Sequence, residues 1–322
     1  MSLASPDPGG DPNAAVPLPP PPGKYMGFND DAAHSVHGLT PAGYVELSSL
    51  AGGNLIRASL DWREAEPVPN IEPLPNSWNE RAWARWKDLY DAALTRGLTP
   101  MFTIGFAPVW ARELQFQECG EACRYPPSRL MDGQWAEFAA EVARRFPRAV
   151  IEVWNEPNLL NFWGSGADPQ RYAELLAIAH DAIKQQSPST TVLGGALANV
   201  QRTGGGHMAL GEFLDAAYSA GPTIAGNMDA LSFHPYPGGA DLGANTLFAK
   251  SFADVRMVKA AYDPSTPLFV SEVGISTGAP DSLSETEQAA TLQALYRRAM
   301  TMGDVLGVVF HRLVEPADTS QN

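Results

Sequence analysis

Eight short apolar segments, each followed by a longer stretch with helical periodicity, organise the chain. The apolar segments begin near Lys24, Asn54, Thr99, Ala149, Thr190, Met228, Pro267 and Val305. Their spacing of roughly 30–50 residues is that of a strand plus a returning helix. Trp83, Trp86, Tyr90, Ala93 and Leu94 keep helical spacing, as do Trp135, Phe138, Val142 and Phe146, and Tyr172, Leu175, Leu176, Ala179 and Ile183. Thr40-Pro41 and Asp168-Pro169 read as N-caps followed by a first-turn proline, and Ser284 with Glu287 as a capping box. No glycine-rich phosphate fingerprint follows an early strand, which disfavours a doubly wound sheet. The fold predicted is α/β, a single (β/α)8 TIM barrel over residues 24–322. After the eighth strand, "VLGVVFHRLVEP", only "ADTSQN" remains. A full closing helix is therefore expected to be missing, through truncation or because another segment covers the gap.

Residues 1–23, "MSLASPDPGGDPNAAVPLPPPPG", read as a disordered or extended tail. The stretch lacks the basic and apolar regions of a complete signal peptide. Such tails follow a removed signal or tether a catalytic domain, and a secreted or extracytoplasmic location is the expectation. The 22 Lys+Arg against 36 Asp+Glu leave a net charge of −14, which repels nucleic acid and anionic lipid and favours a neutral or cationic partner. No apolar run reaches the length of a membrane span. The two cysteines, Cys119 and Cys123, have no obvious co-ligands for a metal. They read as two free thiols or as a local disulfide, the turn-like flanks favouring the disulfide. His34 and His37 have H-x-x-H spacing but no acidic ligand nearby, so no metal site is expected.

Chemistry in such a barrel sits at the C-terminal ends of the strands. Two strand ends carry a carboxylate where the apolar run stops: "IEVWNEPNL" with Glu156 on strand four, and "LFVSEVGIST" with Glu272 on strand seven. A closed barrel brings both to one mouth, and a facing carboxylate pair is what glycosidic cleavage requires. "EVWNEPNLLNFW" resembles the acid/base signature of the glycoside hydrolase superfamily (clan A) whose glutamates end strands four and seven. It is most similar to family 39 and related family 5-like enzymes. "LFVSEVGIST" resembles the nucleophile strand, "SFHPYP" the strand-six His-x-Tyr, and Arg57 falls where these enzymes often place an arginine.

The resemblance implies a retaining glycoside hydrolase cleaving a β-linked glycan by double displacement, with no cofactor and no metal. The expected partner is an oligo- or polysaccharide, and the expected state a monomer. Glu156 would be the acid/base, protonated near neutral pH under the charge of Glu272 or through burial. Glu272, ionised, would attack the anomeric carbon. Asn155 offers an amide to the sugar 2-OH, Arg57 would keep Glu272 ionised, and Tyr236 could donate a hydrogen bond to it. His234 sits at a strand end beside the pocket, with a satisfied core histidine as the competing reading. Trp62, Trp110 and Trp163 follow strands two, three and four, where aromatic faces suit sugars. Glu152, earlier in strand four, reads as a paired structural charge. Where many clan members place a strand-eight tryptophan, this chain has "VVFHRL", so His311 or Arg312 is expected in that subsite. A transglycosylase would use the same residues, and a glycan-binding pseudoenzyme would keep the barrel without turnover.

Overall fold

The computed structural model describes residues 22–29, 39–69, 78–118, 120, 123–277 and 283–314. Most of the proline-rich tail, His34 and His37, and Cys119 with any disulfide it forms lie outside these. Eight strands, β1 (Tyr25–Asn29), β2 (Leu55–Asp61), β3 (Thr99–Gly105), β4 (Val150–Val153), β5 (Val192–Ala198), β6 (Ala230–His234), β7 (Leu268–Val273) and β8 (Val305–His311), pair in sequence order into a closed, all-parallel barrel. Each starts within two residues of its expected position. The helices are α1 (Pro41–Leu50), the single-turn α2 (Trp62–Ala65), α3 (Glu80–Thr95), α4 (Asp132–Arg145), α5 (Pro169–Gln186), α6 (Leu210–Tyr218), α7 (Leu247–Tyr262) and α8 (Glu285–Thr301). The expected caps form: Thr40 and Asp168 accept from Gly43 N and Arg171 N, and Ser284 with Glu287 makes the capping box. No helix among the described residues is long and apolar enough to cross a membrane, and none follows β8 before Val314.

Residues two apart on a strand face the same side, and the inward files change chemistry with height. At the bottom, Leu55, Met101, Val150, Leu193, Ala230, Phe269 and Val309 form a separate apolar plug. One step up, the files carry Arg57, Thr103, Glu152, Ser232 and Ser271, all buried. The larger apolar layer lies between the sheet and the helices, where Trp83, Trp86, Trp135 and Phe138 are fully buried.

Two irregularities aim the upper ends of strands inward. β7 takes three steps, Val270 to Val273, against two in β8, Val308 to Phe310. Strict alternation would put Glu272 on the face opposite Ser271; the bulge turns it into the barrel mouth. β5 slips against β6 between Gly194 and Leu197, with Gly195 at φ 107° and Ala196 at φ 45°. This slip presents the Ala196 carbonyl to Glu156 N at 2.9 Å. A Cβ at Gly195 would lie 2.4 Å from the Ser232 carbonyl oxygen. We expect Gly195→Ala to cost about 1–3 kcal/mol in urea denaturation. Gly97→Ala, at φ 75° with open space around it, should cost only the backbone penalty of about 1 kcal/mol. Equal losses at the two positions would show that the β5 slip tolerates a side chain.

Candidate active site

Strand β4 ends in two left-handed residues, Trp154 at φ 73° and Glu156 at φ 46°. A bulky residue adopts that conformation only when its surroundings enforce it. Trp154 is buried edge-on against Phe106, Trp135 and Trp163, and its indole N–H donates to the Phe162 carbonyl at 2.9 Å. The indole is thus anchored outside the barrel, while Asn155 and Glu156 turn into a cleft of about 330 Å³ at the mouth. Pro157 follows, where no further ladder is needed.

Arg57 is the central cation. Its Nε and Nη2 donate to Glu152 Oε2 at 2.9 and 2.7 Å, its Nη1 to Glu272 Oε2 at 3.0 Å, and its Nη2 also to Asn155 Oδ1 at 2.9 Å. Glu152 is wholly buried and also accepts from Thr103 Oγ1 at 2.8 Å, the structural pairing expected of it. Glu272 further accepts from Asn29 Nδ2 at 2.9 Å and from the Tyr236 hydroxyl. Burial alone would raise the pKa of Glu272. The positive fields of His234, Arg57 and His311, with the Tyr236 hydrogen bond, instead lower it to about 2. Burial and the Glu272 charge together push the Tyr236 phenol upward, keeping it a donor.

Glu156 has a different environment. Its Oε1 lies 2.9 Å from His234 Nδ1, and His234 is fully buried. Burial opposes charging of that imidazole, but the Glu272 carboxylate and the contact with Glu156 outweigh it and raise its pKa. One carboxylate is therefore held by an arginine, an amide and a phenol, the other by a histidine.

Of the residues singled out from sequence, Arg57, Asn155, Glu156, Glu272 and His311 line one cleft. His234 and Tyr236 brace the two glutamates. The tryptophans are a correction. Trp62 is fully buried, stacked on Phe138, and donates to Glu66. Trp163 is buried between Trp154 and Tyr172. Trp110 packs edge-on against Trp62 and donates to the Glu66 carbonyl. None of the three lines the cleft, because the segments after β2, β3 and β4 fold their indoles back between sheet and helices. The aromatic wall is built from Phe106 and Phe162.

Sequence reasoning missed Asn29, Phe106, Phe162 and Arg124, all in the cleft lining. Asn29 was readable by the rule that flagged Asn155, since "YMGFN" is an apolar strand ending on an amide. The other three sit in long loops and carry no such signal.

The depressed pKa of Glu272 links it to stability. Because the folded value lies below the ordinary 4.5, its contribution is present above that pH and is lost as pH falls towards about 2. The stability difference between wild type and Glu272→Gln should therefore shrink across that window in urea titrations. A constant difference would mean that Glu272 is not held ionised. Arg57→Ala, which strands the buried Glu152 charge, should lose about 3–5 kcal/mol.

No family model matches the chain. Solved structures do match. A family 39 glycoside hydrolase from the gut symbiont Bacteroides cellulosilyticus WH2 is 21% identical over 90% of this chain and 56% of its own, with a TM-score of 0.60. A monomeric β-xylosidase from Caulobacter crescentus CB15 is 21% identical over 92% and 61%, with a TM-score of 0.64. An exo-β-1,4-mannosidase from Opitutaceae bacterium strain TAV5 is 17% identical over 89% and 51%, with a TM-score of 0.60. The chain spans between half and two thirds of the length of these proteins. At this identity the likeness is one of architecture: the chain shares the (β/α)8 barrel of these glycoside hydrolases.

Proposed function

We propose that the protein is a retaining glycoside hydrolase acting on a β-linked glycan. The observation that carries this reading is the unequal treatment of two glutamates in one cleft. Glu272 is held ionised by Arg57, Asn29 and Tyr236, as a nucleophile must be. Glu156 faces His234, a partner able to adjust to either protonation state of the carboxyl. In the first step Glu272 bonds to the anomeric carbon while Glu156 protonates the departing oxygen. In the second Glu156 takes a proton from water, which displaces Glu272 and releases the sugar. Asn155, oriented by Arg57 through its carbonyl oxygen, keeps its amide N–H₂ for the sugar 2-OH. The barrel shared with glycosidases supports the same reading. We also propose an extracytoplasmic location, on the character of the N-terminal segment alone.

Kinetics separate the two roles. Glu272→Ala should lose several orders of magnitude in kcat whatever the leaving group. Glu156→Ala should still form the intermediate from an activated aryl glycoside and then stall. Azide should rescue Glu156→Ala to a retained β-azide and Glu272→Ala to an inverted α-azide. Interchanged products would reverse the assignment. Unchanged rates in both variants would show that neither glutamate is catalytic, and absence of turnover in the wild type would leave a glycan-binding protein.

A further inference from the structure

The overall charge of −14 argues for a neutral or cationic partner, but the local charges at the cleft argue otherwise. Arg57 is shared between Glu152 and Glu272, Asp61 is held by Arg63, and Glu156 faces His234. Two guanidinium groups in the lining, Arg124 and Arg312, are left over. Neither has a carboxylate within ion-pair distance among the described residues. Among the described residues, the Arg312 guanidinium meets one side chain within hydrogen-bond distance, His311 at Nε2, 3.4 Å away. The Arg124 guanidinium lies 4.8 Å from the Phe162 ring centroid and 5.4 Å from that of Phe106, and its Nε is buried without an acceptor.

Other arginines of the chain have their donors used: Arg112 and Arg298 donate to backbone carbonyls. Arg129, Arg144, Arg145, Arg171 and Arg256 all meet carboxylates, as expected where acids outnumber bases. Arg57 alone answers both Glu152 and Glu272, so the lining as a whole is not positive; Arg124 and Arg312 instead each make a positive field at their own position, and a low-dielectric cleft strengthens it. The hydroxyls of a neutral sugar do not call for such a field. A carboxylate does, because it accepts two parallel N–H bonds from one guanidinium. Stacking on phenylalanine faces fixes the Arg124 plane and leaves its N–H edges for an in-plane acceptor.

Building on the glycosidase reading, we infer that the cleft takes glycans bearing an anionic group, the carboxylate of a uronic acid residue. Arg312 follows β8, which pairs with the strand carrying Glu272, and reads the sugar held over the nucleophile. Arg124 stacks on Phe162 in the loop that follows Glu156 and reads the residue on the leaving-group side.

The test uses matched aryl β-glycosides that differ only at C6: glucuronide against glucoside, and galacturonide against galactoside. The acidic member of at least one pair should have a kcat/KM about tenfold or more higher, the value of one charge-assisted hydrogen bond pair. That ratio should fall towards one in Arg312→Gln, and raising salt should increase KM for the acidic substrate only. The salt arm needs no variant and stands even if Arg312→Gln misfolds. A 6-sulfated aryl glycoside preferred over both members, with the same Arg312 dependence, would keep the anion site and name sulfate as its source. Preference for the neutral member in every pair, or a ratio indifferent to Arg312 and to salt, would overturn the inference while leaving the glycosidase reading intact. If no aryl glycoside is hydrolysed, the glycosidase reading fails. Calorimetric binding of hexuronate oligosaccharides against neutral ones then decides the anion site: selective binding supports it and equal or absent binding overturns it.

Discussion

The guanidinium of Arg57, buried among Glu152, Asn155 and Glu272, is the contact on which the barrel mouth depends. A buried cation is tolerated only when its charge is met and its donors are used. Glu152, one level below the mouth on β4, meets that charge. The remaining donors then reach upward to the two polar residues that end β4 and β7. A single side chain on β2 therefore fixes the relative positions of groups that lie far apart in sequence. Thr103 closes the lower side of the network from β3, so β2, β3, β4 and, across the barrel, β7 share it.

The apolar plug beneath makes this arrangement electrostatically effective. With Leu55, Val150, Phe269 and their neighbours filling the barrel floor, the ion pairs above are screened from bulk water on one side. Charges there interact more strongly, at a lower effective dielectric than on the surface. Glu272 ends far below its ordinary pKa because His234, Arg57 and His311 all bear on it. Glu156 shares the cleft but not the arginine. The contrast comes from which strand each glutamate leaves and how the backbone is bent there.

Those bends are held by the outer layer. Trp154 occupies an unfavourable backbone region because its indole is clamped by Phe106, Trp135 and Trp163. The slip of β5 around Gly195 then offers Glu156 a backbone acceptor. Of the indoles first read as sugar platforms, Trp163 thus helps to set the angle at which Glu156 enters the cleft. The aromatic wall of the cleft is instead Phe106 and Phe162, stacked on each other with Arg124 against both rings.

Periodicity alone sufficed for the barrel. Strand runs such as "NLIRASLDW" and the helix stripe of Trp83, Trp86 and Tyr90 must bury one face each, and eight such alternations have few ways to do so. Strand ends that stop on Asn155, Glu156 or Glu272 announced polar groups at the mouth for the same reason: an apolar run ends on a charge only where that charge has somewhere to go. Three things were beyond sequence. The bulge in β7 that rotates Glu272 inward depends on register against β8, which no local pattern encodes. The choice between Trp62, Trp110 and Trp163 and the pair Phe106 and Phe162 depends on how long loops fold back, and loops carry no period. That Arg124 and Arg312 meet no carboxylate among the described residues depends on which side chains the barrel brings near them. Sequence sets the inventory of charges and the alternation of faces; only the closed barrel decides which charges meet, because partners on different strands are brought together by tertiary packing.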